Sequence, residues 1–354
     1  MLHVRSTIRD VAKLAGVSPG TVSRILSARE SAVRISASTR ERVLAASREL
    51  NYTPNAFASS LRSQRSQTVG VVVPTLTMAF PATAISLLGT VLEERGYHVL
   101  LAQARTQADV QRFSRMYEQY RVSGVLFVGS TREMLDDDFL AEYCRRLNGH
   151  VVGLLSPPGP PLLVTIDVDN RRGIQAALNH LVGLGHERIA YVGPNTCGDF
   201  THRFEAFREL VEVAAPKSSG LDLMRETPTA NPREGGEAMQ RLLALPSPPS
   251  AVVFATDEMA LVGLMAAHQA GFSVPDDISV VGFDDIPWAS YCWPPLTTVR
   301  QPVKAMVERA AECLLNLVEN GADHQAGRSY VFPPELVVRG STAAPNHTRK
   351  EGRR

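Results

Sequence analysis

TIRDVAKLAGVSPGTVSRILS, residues 7–27, decides how the rest of the chain is read. Thr7 with Asp10 three positions later is a capping-box start, Asp replacing the usual Glu or Gln. Ile8, Val11, Ala12 and Ala15 fall at i, i+3, i+4 and i+7, one apolar face of a short helix. Gly16 ends that helix where a left-handed residue is needed, and Val17 plugs the corner. Ser18 caps a second helix with Pro19 at its first position, where a missing N–H costs nothing. Val22, Ile25 and Leu26 face inward and leave Gly20, Thr21, Ser23 and Arg24 outside. Two short helices around a tight turn are either an ordinary helical hairpin or a helix-turn-helix, whose second helix enters the DNA major groove.

Charge separates these two readings. Up to Ser66 there are eleven Lys and Arg against four acids, so this segment carries +7. The whole chain carries only +1, which leaves −6 for the remainder. A basic head on an acidic body is the electrostatic footprint of a nucleic-acid-binding module joined to something else.

The chain runs on from this head. A loop carrying Arg29 and Arg34 leads to Ser38 and Glu41, a second capping box, and a third helix through Val43, Leu44 and Leu50 closes the head near Asn51. The next stretch, residues 52–66, has Pro54 as a stop, Asn55 as a cap and a helix from Ala56 to Arg62 too short to persist alone in water. Leu61 stands there among Ser, Arg and Gln with nothing local to bury it. It is a stray leucine in a linker, or a wedge on a helix that folds only on DNA.

From Thr68 the pattern changes. Apolar strands at 68–74, 97–103, 124–129, 150–155, 188–193, 251–257 and 278–285 alternate with helices at 82–95, 107–121, 172–184, 203–213, 234–245 and 259–270. Continuous apolar strands between helices predict parallel sheets covered on both faces. At 354 residues the chain is long enough for about two domains, and 44% hydrophobic with 21% charged residues is ordinary globular composition. No apolar run reaches the roughly 18 residues of a membrane span and no signal-peptide pattern opens the chain, so a cytoplasmic protein is expected. Cys144, Cys197, Cys292 and Cys313 have no metal-like spacing. No GxGxxG, GxxxxGK[ST] or GxSxG occurs, so no cofactor, metal centre or catalytic residue is expected.

DVAKLAGVSPGTVSRIL, NYTPNAFASSLRS, TVGVVVP, DNRRG with LGHERIAYVG, and VPDDISVVGFDDIPWASYCWPPLTTVRQP together resemble the lactose repressor family of bacterial transcription regulators, from Thr7 to about Thr342. The resemblance implies a head at 1–51, a hinge helix at 52–66 and a two-lobed body like the periplasmic binding proteins, each lobe a doubly wound sheet. The lobes would be 67–162 with 296–326, and 163–295 with 327–342, followed by a disordered tail at 343–354. It implies a homodimer on a palindromic operator and a small sugar-like effector between the lobes, with no membrane partner.

Residue by residue, the family's base-reading positions match Pro19, Gly20 and Arg24, and Arg24 can pair with guanine through two hydrogen bonds. Thr7, Ser18, Thr21, Ser23 and Arg34 match contacts that position the head. In the hinge, Asn55, Ala58 and Leu61 match the family, Leu61 at its intercalating leucine, and Arg62 is expected to contact the DNA backbone. Asp169, Arg203, Asp257 and Asp284 match the polar positions of the effector cleft, and Phe80 is expected to cover the effector from the other lobe. Asp169 has a second reading as a helix cap, and Asp284 with Asp285 as a turn cap. Trp288 either stacks on a sugar ring or fills the core. Met78-Ala79-Phe80-Pro81 stands where the family often has Asn-Pro-Phe-Phe, and Thr256-Asp257 where it often has Asn-Asp, so the effector is not carried over. The alternatives are a regulator with a degenerate effector site or a protein coregulator, and a sugar-binding protein without DNA function.

Overall fold

A computed structural model describes residues 6–26, 35–52, 66–129, 135–195, 198–218, 223–321 and 327–346. Two compact units divide the chain after Ser66.

The first unit is three helices: α1 (Ile8–Ala15), α2 (Pro19–Leu26) and α3 (Ala37–Glu49). The capping box forms as the sequence predicts, with the Thr7 hydroxyl and N–H both on Asp10 at 2.7 and 2.8 Å. Gly16 takes φ +65°, which a side chain would resist. Val11, Ala12, Ala15, Val22, Ile25, Val43 and Ala46 make the core. The third helix begins earlier than the Ser38–Glu41 box predicts. Its cap is Ser36, whose hydroxyl accepts the Thr39 N–H at 3.2 Å, leaving Ser38 inside the first turn.

The second unit holds two six-stranded sheets. The first contains β1 (Thr68–Val73), β2 (His98–Gln103), β3 (Gly124–Val128), β4 (Val151–Leu154), β5 (Val164–Val168) and β11 (Ser329–Phe332), in the order β11-β5-β4-β3-β1-β2 and all parallel. Val69, Val71 and Val73 of β1 point to one face, where Leu88 and Leu92 of α4 (Ala79–Glu94) cover them. Val72 points to the other, with Tyr117 of α5 (Gln107–Gln119) and Leu140 of α6 (Asp137–Arg146). Period-two burial on both faces is why these strands read as unbroken apolar runs.

The second sheet has β6 (Ile189–Pro194), β7 (Met224–Thr227), β8 (Ala251–Phe254), β9 (Ser279–Asp284), β10 (Thr297–Arg300) and β12 (Glu335–Val337), ordered β12-β10-β9-β8-β6-β7, with β12 antiparallel to β10 and the other neighbours parallel. Its helices are α7 (Asn170–Gly183), α8 (Gly198–Ala214), α9 (Pro232–Leu243) and α10 (Asp257–Gln269). Helix α11 (Val303–Asn320) packs against α4, β3, β4 and β5 of the first sheet.

The chain crosses between lobes later than the sequence reading places it. β5 pairs with β4, so 164–168 belongs to the first lobe, and β11 pairs with β5, which puts 329–332 there too. β10 pairs with β9, so 297–300 belongs to the second lobe. The crossings fall after Val168, after Arg300 and after Phe332. The proline-rich segments 157–161 and 294–295 lie between strands of one lobe, where proline interrupts pairing without marking a crossing. Helices α4 and α8 also begin before the predicted Ala82 and Arg203. In α4, Pro81 sits in the first turn, where no N–H partner is lost. The tail predicted disordered from Ala343 is bonded at its start: the Ala343 N–H donates to Ser279 Oγ at 3.1 Å and its carbonyl lies 2.9 Å from His186 Nε2.

Candidate functional site

On the head, Val22 and Ile25 bury their side chains, and the helical period then turns Pro19, Gly20 and Arg24 outward, with Thr21 and Ser23 half-buried. Ser18 accepts the Thr21 N–H at 3.1 Å and lies 2.9 Å from the Thr21 hydroxyl, so both hydroxyls are held at the start of α2. Thr7 is held by Asp10, whose carboxyl those hydrogen bonds keep below its ordinary value. Arg34, Asn55, Ala58, Leu61 and Arg62 lie outside the described residues.

In the body, the carboxyl ends of strands from both sheets supply one polar network. Arg203 of α8 is 2% exposed. Its Nε donates to Asn170 Oδ1 at 2.8 Å, and Nη1 donates to the Ala255 carbonyl at 2.7 Å and to Asp284 Oδ1 at 3.4 Å. Its guanidinium lies 3.7 Å from the centroid of Phe283 and 5.6 Å from that of Phe200, so an aromatic face stabilises the charge as well. Gln301 donates to the same Asp284 oxygen at 2.7 Å. Burial pushes the Asp284 carboxyl up to about 7, against the pull of Arg203 and Gln301. Asp284 holds φ +118°, a region non-glycine residues avoid and in which strain is often stored at functional sites. Its neighbour Asp285 faces elsewhere and clamps Arg300 and Arg339, both at 2.6 Å.

The other sequence candidates separate. Asp257 is fully buried, with one oxygen accepting the Ile286 N–H at 2.9 Å and the other the Thr298 hydroxyl at 2.5 Å. Gly282 makes room for it, since a Cβ there would meet Asp257 Oδ1 at 2.1 Å. Both oxygens being engaged within its own lobe, Asp257 acts as a brace behind Asp284. Asp169 caps α7 by accepting the Arg172 N–H at 2.9 Å. Trp288 is 62% exposed, which removes the core reading; Tyr291 at 79% and Trp293 at 91% follow it in the same short segment. Phe80 is buried in the first turn of α4.

Among the described residues, contacts between lobes lie beside this network. Helix α4 has no side-chain cap of its own, and Glu258 of the other lobe supplies one, accepting the Ala79 N–H at 3.3 Å. Asp167 of β5 meets Asp199 and His202 of α8, with their ligating atoms all within 4.8 Å of one another. Burial and Asp199 raise the Asp167 carboxyl to about 8. Asn170 donates to Asp199 at 3.1 Å and so ties this corner to Arg203. The sequence reading missed Asp167, Asn170, Asp199, His202, Glu258 and Gln301. One signal was there: an aspartate inside the buried strand Val164–Val168.

Residues 7–55 match the model of the bacterial regulatory proteins of the lacI family, and 178–342 match a periplasmic binding protein-like domain. The transcriptional regulator reg1 of Streptomyces lividans is 37% identical over 347 residues, spanning 95% of this chain and 96% of that protein. The chain belongs to the LacI family. It is a DNA-binding transcriptional regulator with a helix-turn-helix head and a two-lobed, periplasmic-binding-protein-like body. Another relative in the family, the repressor CytR of Escherichia coli strain K12, is 32% identical over 96% of this chain and 97% of its own length. Among solved structures, the lac repressor dimer bound to operator and an anti-inducer superposes with TM-score 0.83 at 28% identity, over 96% of this chain and 99% of that one. The regulator CelR in complex with cellobiose superposes at 0.69 with 30% identity, over 95% of this chain and all of that one. Among the described residues no helix is long and apolar enough to cross a membrane.

Proposed function

We propose that this LacI-family regulator is a cytoplasmic, homodimeric repressor whose affinity for a palindromic operator is set by a small polyhydroxylated effector, a sugar or related metabolite, bound between the lobes. The observation that carries this reading is the buried Arg203–Asp284–Asn170–Gln301 network at the strand ends. Ionised groups make the strongest hydrogen bonds to hydroxyls, and ligands of open α/β sheets bind at this end. Phe80 covers the effector from the other lobe. Reshaping at Asp167–Asp199 and Glu258–Ala79 then couples occupancy to how the lobes meet.

On DNA, Arg24 reads a guanine, while Thr7, Ser18, Thr21, Ser23, Arg34 and Arg62 contact the backbone. Pro19 and Gly20 have little to offer a base edge. Leu61, supported by Asn55 and Ala58, enters a central base step. Self-association covers Trp288, Tyr291 and Trp293, because a cluster of exposed aromatic rings marks an interaction surface.

The test joins two assays. A thermal-shift screen of sugars and nucleobases finds a ligand, which raises the melting temperature if it binds only the folded state. Gel shifts on genomic fragments then measure operator affinity with and without it. A binding ligand that leaves operator affinity unchanged refutes the proposal.

A further inference from the structure

We propose that the effector carries a protonated amine, as an amino sugar does, and that this amine sits where the lobes meet, against Asp167, Asp199 and His202. This deepens the ligand-binding reading above and rests on it.

Charge is the first ground. Arg203 is already engaged by Asn170, Ala255 and Asp284, and its face lies on Phe283. Its guanidinium is paired with Asp284, and Asn170 links it to Asp199 of the Asp167–Asp199 pair. Asp167 is 6% exposed, and its carboxyl, with those of Asp199 and the His202 ring, falls within one 4.8 Å cluster. Two carboxyl groups placed this close, one of them buried, favour a cation between them. Burial, and then the neighbouring Asp199, raise the Asp167 carboxyl to about 8. A protonated amine supplies that cation, with Glu258 adding to the negative field at the other lobe contact.

The second ground is independent of the acids. Gln301, 3% exposed, gives its amide N–H to Asp284 and leaves Oε1 with no donor. Asn195 leaves a buried Oδ1 in the same condition. These residues directly follow β10 and β6, at the strand ends where the cleft lies. A completing ligand must donate hydrogen bonds here. A phosphate or carboxylate brings acceptors and more negative charge, whereas an ammonium brings three donors and a positive one.

Matched sets of hexose, amino-hexose and hexose 6-phosphate (glucose, galactose and mannose series), titrated into the full chain at neutral pH by calorimetry and thermal shift, test this. The amino sugar of at least one series should bind about tenfold tighter than its parent, with the phosphate not binding. Asp199→Asn should reduce that preference to about twofold or less, and His202→Gln, at an exposed position, should weaken it in the same direction. Parents that bind as well as amino sugars, a tighter phosphate, an intact preference in both variants, or no amino sugar binding at about 10 mM each overturn the inference. So does Zn²⁺ or Mn²⁺ chloride alone stabilising the protein more than any amino sugar. Operator gel shifts run in parallel separate the two claims. Loss of sequence-specific DNA binding by the wild type refutes the proposed function, whereas intact operator binding without amine preference refutes this inference alone.

Discussion

Arg203→Ala removes one buried charge and three hydrogen bonds at once. It leaves Asn170 Oδ1 and the Ala255 carbonyl without the donors that sat 2.8 and 2.7 Å away, and Asp284 without its cation. Each orphaned buried acceptor costs about 1–3 kcal/mol, and breaking a buried ion pair about 3–5. These terms overlap, so about 3–5 kcal/mol of stability should be lost. The pH dependence is more diagnostic. Burial raises Asp284 to about 7 and Arg203 pulls the other way, so deleting Arg203 raises it further. A raised folded-state carboxyl contributes stability at low pH that is lost as pH rises through its folded value. In the wild type that loss ends near pH 7, whereas in the variant it continues above pH 7. The difference between the two proteins should therefore widen above pH 7. Urea unfolding followed by tryptophan emission reads the right lobe, because the chain's two tryptophans, Trp288 and Trp293, both lie there. A loss below about 1 kcal/mol that stays constant across this range would refute the account of the network.

Other outcomes follow from the same reasoning. Arg24→Ala should cost about 1–3 kcal/mol at one base pair per half-site, read by gel shift on single-base operator variants, and an equal loss on every sequence would contradict base reading. Leu61→Ala should reduce DNA bending and specific affinity while sparing non-specific binding; operator bending like the wild type's would remove the wedge. Tyr291→Ser with Trp293→Ser should convert a dimer to a monomer in light scattering at low micromolar concentration, and a persistent dimer or a tetramer would point to another interface. Asp167, raised to about 8, takes up a proton on folding, so wild-type melting temperature should fall between pH 6 and 8. Asp167→Asn should make that fall shallower, and an unchanged slope would put the titrating group elsewhere.

The head was legible because its signals are local. Thr7, Asp10, Gly16, Ser18 and Pro19 each act within one turn of their own position, and Ser36 displaced Ser38 only because two hydroxyl residues compete two positions apart. Seven of the strands could be read from apolar runs, but β5, β10 and β11 fall on the other side of the lobe boundaries that the resemblance implies, while β12 falls where they place it. Pairing partners are chosen across the fold, so no signal local to these segments says which lobe they join. The cleft was half legible. Arg203 and Asp284 came from resemblance, and the structure brings them together. Asp257 looked like an equal member, yet a lone acid after a strand reads the same whether it faces a ligand or braces the backbone. Only the Gly282 space and the Thr298 and Ile286 donors distinguish the two. Asp199 and Glu258 were invisible for the opposite reason: each matters through a partner on the other lobe, far away in sequence.

Fluorescence anisotropy of labelled operator, titrated with the full chain with and without the ligand found by thermal shift, tests the central claim most directly. The account predicts a change in operator affinity of at least about tenfold on ligand addition, and no ligand response in Arg203→Ala. Identical operator affinity with and without a ligand that demonstrably binds, or a full response in Arg203→Ala, would contradict it.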